Sequence, residues 1–75
     1  MKVSARNVIK GKVLEIREGV VTAHVVIDVG SREPVTSSIT MDSVRDLEIE
    51  VGKTVYAIVK ASDVMIGVEH HKRGE

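Results

Sequence analysis

Residues 20–29 read VVTAHVVIDV. Val21, Ala23, Val25, Ile27 and Val29 alternate with Val20, Thr22, His24, Val26 and Asp28. Side chains that alternate along an extended chain emerge on opposite faces, so this stretch reads as a strand whose first set faces a core. Turn chemistry bounds it on both sides. Upstream stands Glu18-Gly19, a tight hairpin signal in which Gly19 can take a positive φ. Downstream, residues 30–34 (GSREP) form a turn by composition.

Working outward, residues 8–17 (VIKGKVLEIR) form a second strand. Ile9, Gly11 and Val13 share one parity, whereas Leu14 and Ile16 take the other, which implies a bulge or burial on both faces. Residues 35–41 alternate again, with Val35, Ser37, Ile39 and Met41 opposing Thr36, Ser38 and Thr40. The period then changes. Met41, Val44 and Leu47 recur every third residue, which predicts a short helix over 42–48, capped by Asp42 or Ser43. Leu47–Val51 should run extended to a turn at Gly52. Residues 53–60 (KTVYAIVK) form a strand with Val55, Ala57 and Val59 on one face, and residues 64–68 (VMIGV) a short final strand. The fold class is all-β. The order of elements is that of a five-stranded OB-like barrel with one short helix between strands 3 and 4.

Composition narrows what such a barrel can be. Seventy-five residues make one domain, and a chain of this size buries little surface alone. The expected domain covers residues 1–68, and a charged tail over 69–75 frays. There is no cysteine, Phe or Trp, and Tyr56 is the sole aromatic, so the core is aliphatic and no disulfide can reinforce it. A thin core without staples favours a homo-oligomer. Eleven basic residues balance eleven acidic ones, which is poor footing for a nucleic-acid binder. No signal-peptide core and no apolar run of membrane-spanning length is present, so the expectation is a soluble cytoplasmic protein without a membrane partner.

No nucleophile-elbow, phosphate-loop or dinucleotide glycine pattern occurs, and the expectation is that the chain is not an enzyme. Glu69-His70-His71 could take up a divalent metal adventitiously; no metal site is expected. His24 reads as a surface or interface residue, and Val20, Met41 and Met65 as packing residues. Two polar clusters carry more chemistry. Ser4-Ala5-Arg6-Asn7 places Ser4 and Arg6 on one side if extended, and Lys60-Ala61-Ser62 does the same for Lys60 and Ser62. Together they offer a guanidinium, an ammonium, hydroxyls and backbone N–H groups, all of them donors. A deprotonated tetrahedral dianion only accepts hydrogen bonds, so this donor set suits one. The residues alone leave a plainer reading open, with Arg6 paired to a surface carboxylate and Lys60 an ordinary strand-end charge. Asp63 would repel an anion unless it turns away to cap the turn before the last strand. The hydroxyl face Thr36, Ser38 and Thr40 is either solvated or available to an anion.

SARN (4–7), GKV (11–13), GVVTAHV (19–25), TSSITMDSV (36–44) and VKASDVMI (59–66) together resemble the molbindin family, relatives of the molybdate-binding TOBE domains of molybdate transporters and regulators. The resemblance covers residues 3–68. It implies an OB-like fold, a cytoplasmic location, and a hexamer built as a trimer of dimers that holds molybdate or tungstate between subunits. The family's Ser-Ala-Arg motif falls on Ser4, Ala5 and Arg6, and its Lys-Ala/Ser-Ser/Thr motif on Lys60, Ala61 and Ser62. Its hydroxyl residue before the short helix, supplied by a neighbouring subunit, falls on Thr40. A second oxyanion site near a symmetry axis would involve Gly19, Val20, Val21 and Thr22. The role implied is storage and homeostasis of the anion. The competing readings are an OB-type module for single-stranded nucleic acid and an assembly domain that senses the anion. The first needs stacking aromatics and positive charge that this chain lacks.

Overall fold

The computed structural model describes residues 1 and 3–70. Four strands form one antiparallel sheet: β1 (Asn7–Glu18), β2 (Thr22–Asp28), β3 (Val35–Thr40) and β4 (Thr54–Val59), in the order β3-β2-β1-β4. A six-residue helix α1 (Met41–Asp46) joins β3 to β4, and a 3₁₀ turn (Ala61–Asp63) follows β4.

β1 organises the sheet by dividing its length between two neighbours. Its first half, Asn7 to Lys12, pairs with β4 from Val59 back to Thr54. Its second half, Lys12 to Glu18, pairs with β2 from Asp28 back to Ala23. One strand that changes neighbours midway curls the sheet into a half-barrel. The parity switch seen in the sequence is a bulge: Val13 faces Ile27 and Glu15 faces Val26, so Leu14 is the extra residue. The bulge lets Val13 and Ile16 both turn inward although their spacing is odd.

The core gathers on the concave face from Val13, Ala23, Val25, Ile27, Met41, Val44 and Ala57. Of the inward set expected of β2, Ala23, Val25 and Ile27 are buried; Val29, just past the strand, is partly buried, and Val21, which precedes it, lies exposed. Val26, of the opposite parity, is buried as well, flanked by its register partners Glu15 and Thr36.

The helix differs from expectation at both ends. It starts at Met41, and its cap is Thr40 rather than Asp42 or Ser43: Thr40 Oγ1 accepts the Ser43 N–H at 3.0 Å. It ends in a Schellman motif, with the Glu48 N–H on the Arg45 carbonyl (3.1 Å) and the Ile49 N–H on the Val44 carbonyl (2.9 Å). Lys53 Nζ donates to the Leu47 and Glu48 carbonyls at 2.7 and 3.0 Å, so a cation closes the C-terminus. The extended run expected from Leu47 is therefore a helix cap followed by a turn. Leu47, expected on the buried stripe, is largely exposed. Glu48 occupies the motif's left-handed position with φ 53°, where a Cβ is unfavourable. Glu48→Gly should stabilise the fold by about 1 kcal/mol, read as a melting temperature higher by roughly 4–8 °C. An unchanged or lower value would contradict this account of the helix end.

The fifth strand is not formed. After the 3₁₀ turn, residues 64–70 adopt no regular structure, and Met65, Ile66 and Val68 are 89–93% exposed. The chain leaves the sheet instead of folding back, while β3 and β4, at the two edges of the sheet, are not paired with each other. The Cα radius of gyration is accordingly 15.2 Å, against roughly 11 Å for a compact chain of this length. The sheet is thus four-stranded and open where a closed five-stranded barrel was expected. The expected tail falls mostly on residues 71–75, His71 among them, which lie outside the described residues.

Candidate anion-binding site

The β1/β4 register decides which polar residues meet. Asn7 opposite Val59 is its terminal pair. Arg6 enters β1 directly before that pair, and Lys60 leaves β4 directly after it. Ser4-Ala5-Arg6 and Lys60-Ala61-Ser62, more than fifty positions apart in sequence, therefore share one end of the sheet. Ala5 is half-buried and the other five are exposed.

The 3₁₀ turn shapes the second cluster. Asp63 N–H donates to the Lys60 carbonyl (2.9 Å) and Val64 N–H to the Ala61 carbonyl (3.2 Å). Two acceptors are thereby engaged, and the N–H groups of Ala61 and Ser62 stand outside the turn's own ladder. The ion pairs among the described residues are Glu15–Arg17 and Asp42–Arg45, and Arg6 is not in either. Asp63, which would repel an anion unless it turned away to cap this turn, forms no side-chain cap bond there.

Thr40 lies elsewhere. It pairs with Thr22, and Thr22 precedes Ala23, the partner of Glu18 at the far end of β1. β1 has 12 residues, and at about 3.3 Å per residue they span on the order of 40 Å. One chain therefore cannot bring Thr40 to Arg6 and Lys60. The residues of the second suggested site do share Thr40's end. Gly19 N–H donates to the Thr22 carbonyl at 2.8 Å, and Met41 N–H to the Val21 carbonyl at 2.8 Å. Val20 and Val21 are exposed at the hairpin tip. Gly19 does not adopt positive φ; glycine is required because a Cβ would lie 2.7 Å from the Thr22 carbonyl oxygen.

Ser43 entered the sequence reading only as a helix-cap candidate, not as a site residue. The Thr40 hydroxyl accepts from the Ser43 N–H and shares a hydrogen bond with Ser43 Oγ at 2.9 Å. One hydroxyl hydrogen bridges the pair, and the other is left to donate outward. The Thr-x-x-Ser spacing of a helix cap was the available clue.

Other polar features sit apart from both ends. His24 is exposed between its register partners Arg17 and Ser38. The Glu15 carboxyl is held below its ordinary range by the hydrogen bond from Arg17 and by that residue's charge, on the exposed outer face. An open groove of about 690 Å³ beside α1 is lined by Glu18, Glu48 and Glu50 together with Arg45 and Lys53; Arg45 is paired with Asp42 and Lys53 Nζ with the Leu47 and Glu48 carbonyls, so the carboxylates disfavour an anion there. A second, mostly apolar groove of about 340 Å³ follows the concave face along Ile27, Ile39, Val55 and Ile58. No group of three metal-ligating side chains occurs among the described residues, and no helix there is long and apolar enough to cross a membrane.

Comparison with known proteins agrees with this architecture. The TOBE domain model matches residues 3–66. The chain is 51% identical over 69 residues to a protein of Haemophilus influenzae named "Probable molybdenum-pterin-binding protein", covering 92% of this chain and 100% of that one. Among solved structures, MopII from Clostridium pasteurianum superposes with a TM-score of 0.83 at 45% identity, covering 89% of this chain and 100% of MopII. The cytoplasmic molybdate-binding protein ModG, solved with molybdate bound, superposes with a TM-score of 0.76 at 46% identity, covering 81% of this chain and 43% of ModG. In sequence, strand order and curl of the sheet, the chain belongs to the TOBE domain family, alongside the Mop proteins.

Proposed function

We propose that this chain binds a tetrahedral oxyanion, molybdate or tungstate, without chemically altering it, and that the site forms between copies of the chain. The observation that carries the reading is the β1/β4 register, which sets Arg6 beside Lys60 at one end of the sheet and leaves the Thr40 hydroxyl at the other. Arg6 and Lys60 supply the charge. Ser4, Ser62 and the backbone at Ala5 and Ala61 supply further donors, and Thr40 of another copy, through the hydroxyl pair it forms with Ser43, closes the shell. The molybdate bound to ModG, at 46% identity, supports the choice of anion. Tungstate has the same charge and shape.

Self-association is favoured by what the single chain leaves uncovered. Residues 64–68 expose Met65, Ile66 and Val68, the apolar groove lies open, and two strand edges are unpaired. Exposed apolar area on this scale marks an interface. The assembly is a hexamer, a trimer of dimers, of oxyanion-binding units spanning residues 1–68, each with a charged tail over 69–75. A second oxyanion site lies at residues 19–22, where hairpin tips meet near a symmetry axis. The role is storage and homeostasis of the anion in the cytoplasm. Native mass spectrometry tests the core of this reading. A species of six 8.2 kDa chains that gains mass on adding molybdate is expected. A monomer that takes up no anion would overturn it.

A further inference from the structure

We infer that Asn7 is a positioning residue for the anion site: its carboxamide, tied across the sheet to Val59, holds Arg6 and Lys60 at the separation that a dianion needs. The inference rests on the site proposed above. Asn7 Nδ2 donates to the Val59 carbonyl oxygen at 3.2 Å, a half-buried bond between residues 52 positions apart. The other side-chain hydrogen bonds among the described residues join positions no more than six apart.

The location gives the bond its effect. Asn7 opposite Val59 is the last rung of the β1/β4 ladder, and terminal rungs open most readily. Arg6 is bonded directly to Asn7 and Lys60 directly to Val59, so opening this rung separates the two cations. Asn is disfavoured in strands, where an aliphatic residue would pack better. Its amide adds a cross-strand tie without adding charge, whereas a carboxylate here would repel the anion. Held in register, the cations are arranged before the anion arrives, and less ordering is left for binding to supply.

Calorimetric titration with molybdate on the assembled protein tests this. Asn7→Ala should weaken binding about three- to tenfold, the size of one neutral hydrogen bond, with the oligomer mass unchanged. Asn7→Gln keeps the amide donor and should recover most of the loss. In an Arg6→Ala background, Asn7→Ala should matter less than about twofold, because with one of the two cations gone there is no separation left to hold. Wild-type affinity in Asn7→Ala, or an equal loss in both backgrounds, would overturn the proposal. Should Asn7→Ala fail to assemble, Asn7→Ser, which retains a short donor, takes its place in the same comparison. If Arg6→Ala itself binds molybdate normally, the site assignment fails and this inference with it. If Arg6→Ala loses affinity while Asn7→Ala does not, only the role of Asn7 is wrong.

Discussion

Calorimetric titration of Arg6→Ala and of Lys60→Ala with molybdate should show each variant binding about ten- to a hundredfold more weakly than the parent chain. A charge-assisted hydrogen bond contributes about 1.5–3 kcal/mol, and about 1.4 kcal/mol is a factor of ten. Both side chains are exposed in the single chain, and neither forms an ion pair among the described residues. Neither must therefore break an internal bond to meet the anion. Arg6→Lys should recover only part of the loss, because an ammonium lacks the planar fork that grips two oxygens together. His70→Ala, in the exposed segment beyond Val68, controls for general surface charge and should bind normally. Wild-type affinity in both alanine variants, with the oligomer intact, would move attention to residues 19–22.

Gly11→Ala should be the most destabilising single methyl addition in the sheet. A Cβ there would lie 2.5 Å from the Asp28 carbonyl oxygen and 2.7 Å from Ile27 Cγ2. The nearer atom is backbone, and Asp28 pairs with Lys12, the residue at which β1 passes from one neighbour to the other. Relieving the clash therefore means moving the junction of three strands. The expected loss is at or above the upper end of the roughly 1–3 kcal/mol typical of overpacking. Gly30→Ala is the comparison: its φ is +85° but nothing lies within 4 Å, so it meets backbone strain alone. Thermal denaturation should rank Gly11→Ala well below Gly30→Ala. The reverse order would mean that β2 does not cross β1 as closely as described.

Most of the sheet could be read from residue parity, because burial on one face imposes a period of two. The switch between Val13 and Leu14 announced the bulge, and the alternation over 35–40 gave β3 its inward Val35, Ser37 and Ile39. Failures came where the deciding partner was not local. Residues 64–68 have strand composition, but composition does not name a partner, and after the 3₁₀ turn the chain pairs with neither open edge of the sheet. The left-handed turn at Glu48 left no trace because the residue there is not glycine. For the proposed site, residue type marked Arg6 and Lys60 as candidate anion donors, and the strand register sets them at the same end of the sheet. That Thr40 belongs to the opposite end follows only from pairing, which composition does not encode. Ser43 was read only as a helix cap because its contact with the Thr40 hydroxyl depends on the helix starting one residue earlier than its pattern suggested.

The length of β1 has a stoichiometric consequence. If the cationic half of the proposed site lies at one end and its hydroxyl half at the other, every chain is bipolar and offers one half-site of each kind. In a ring or other closed assembly each half-site finds its complement, and complete sites equal chains in number. An open-ended string of copies always leaves an orphan half-site at each terminus. Saturation at one anion per chain for this site is thus a test of closure, and a shortfall counts the ends.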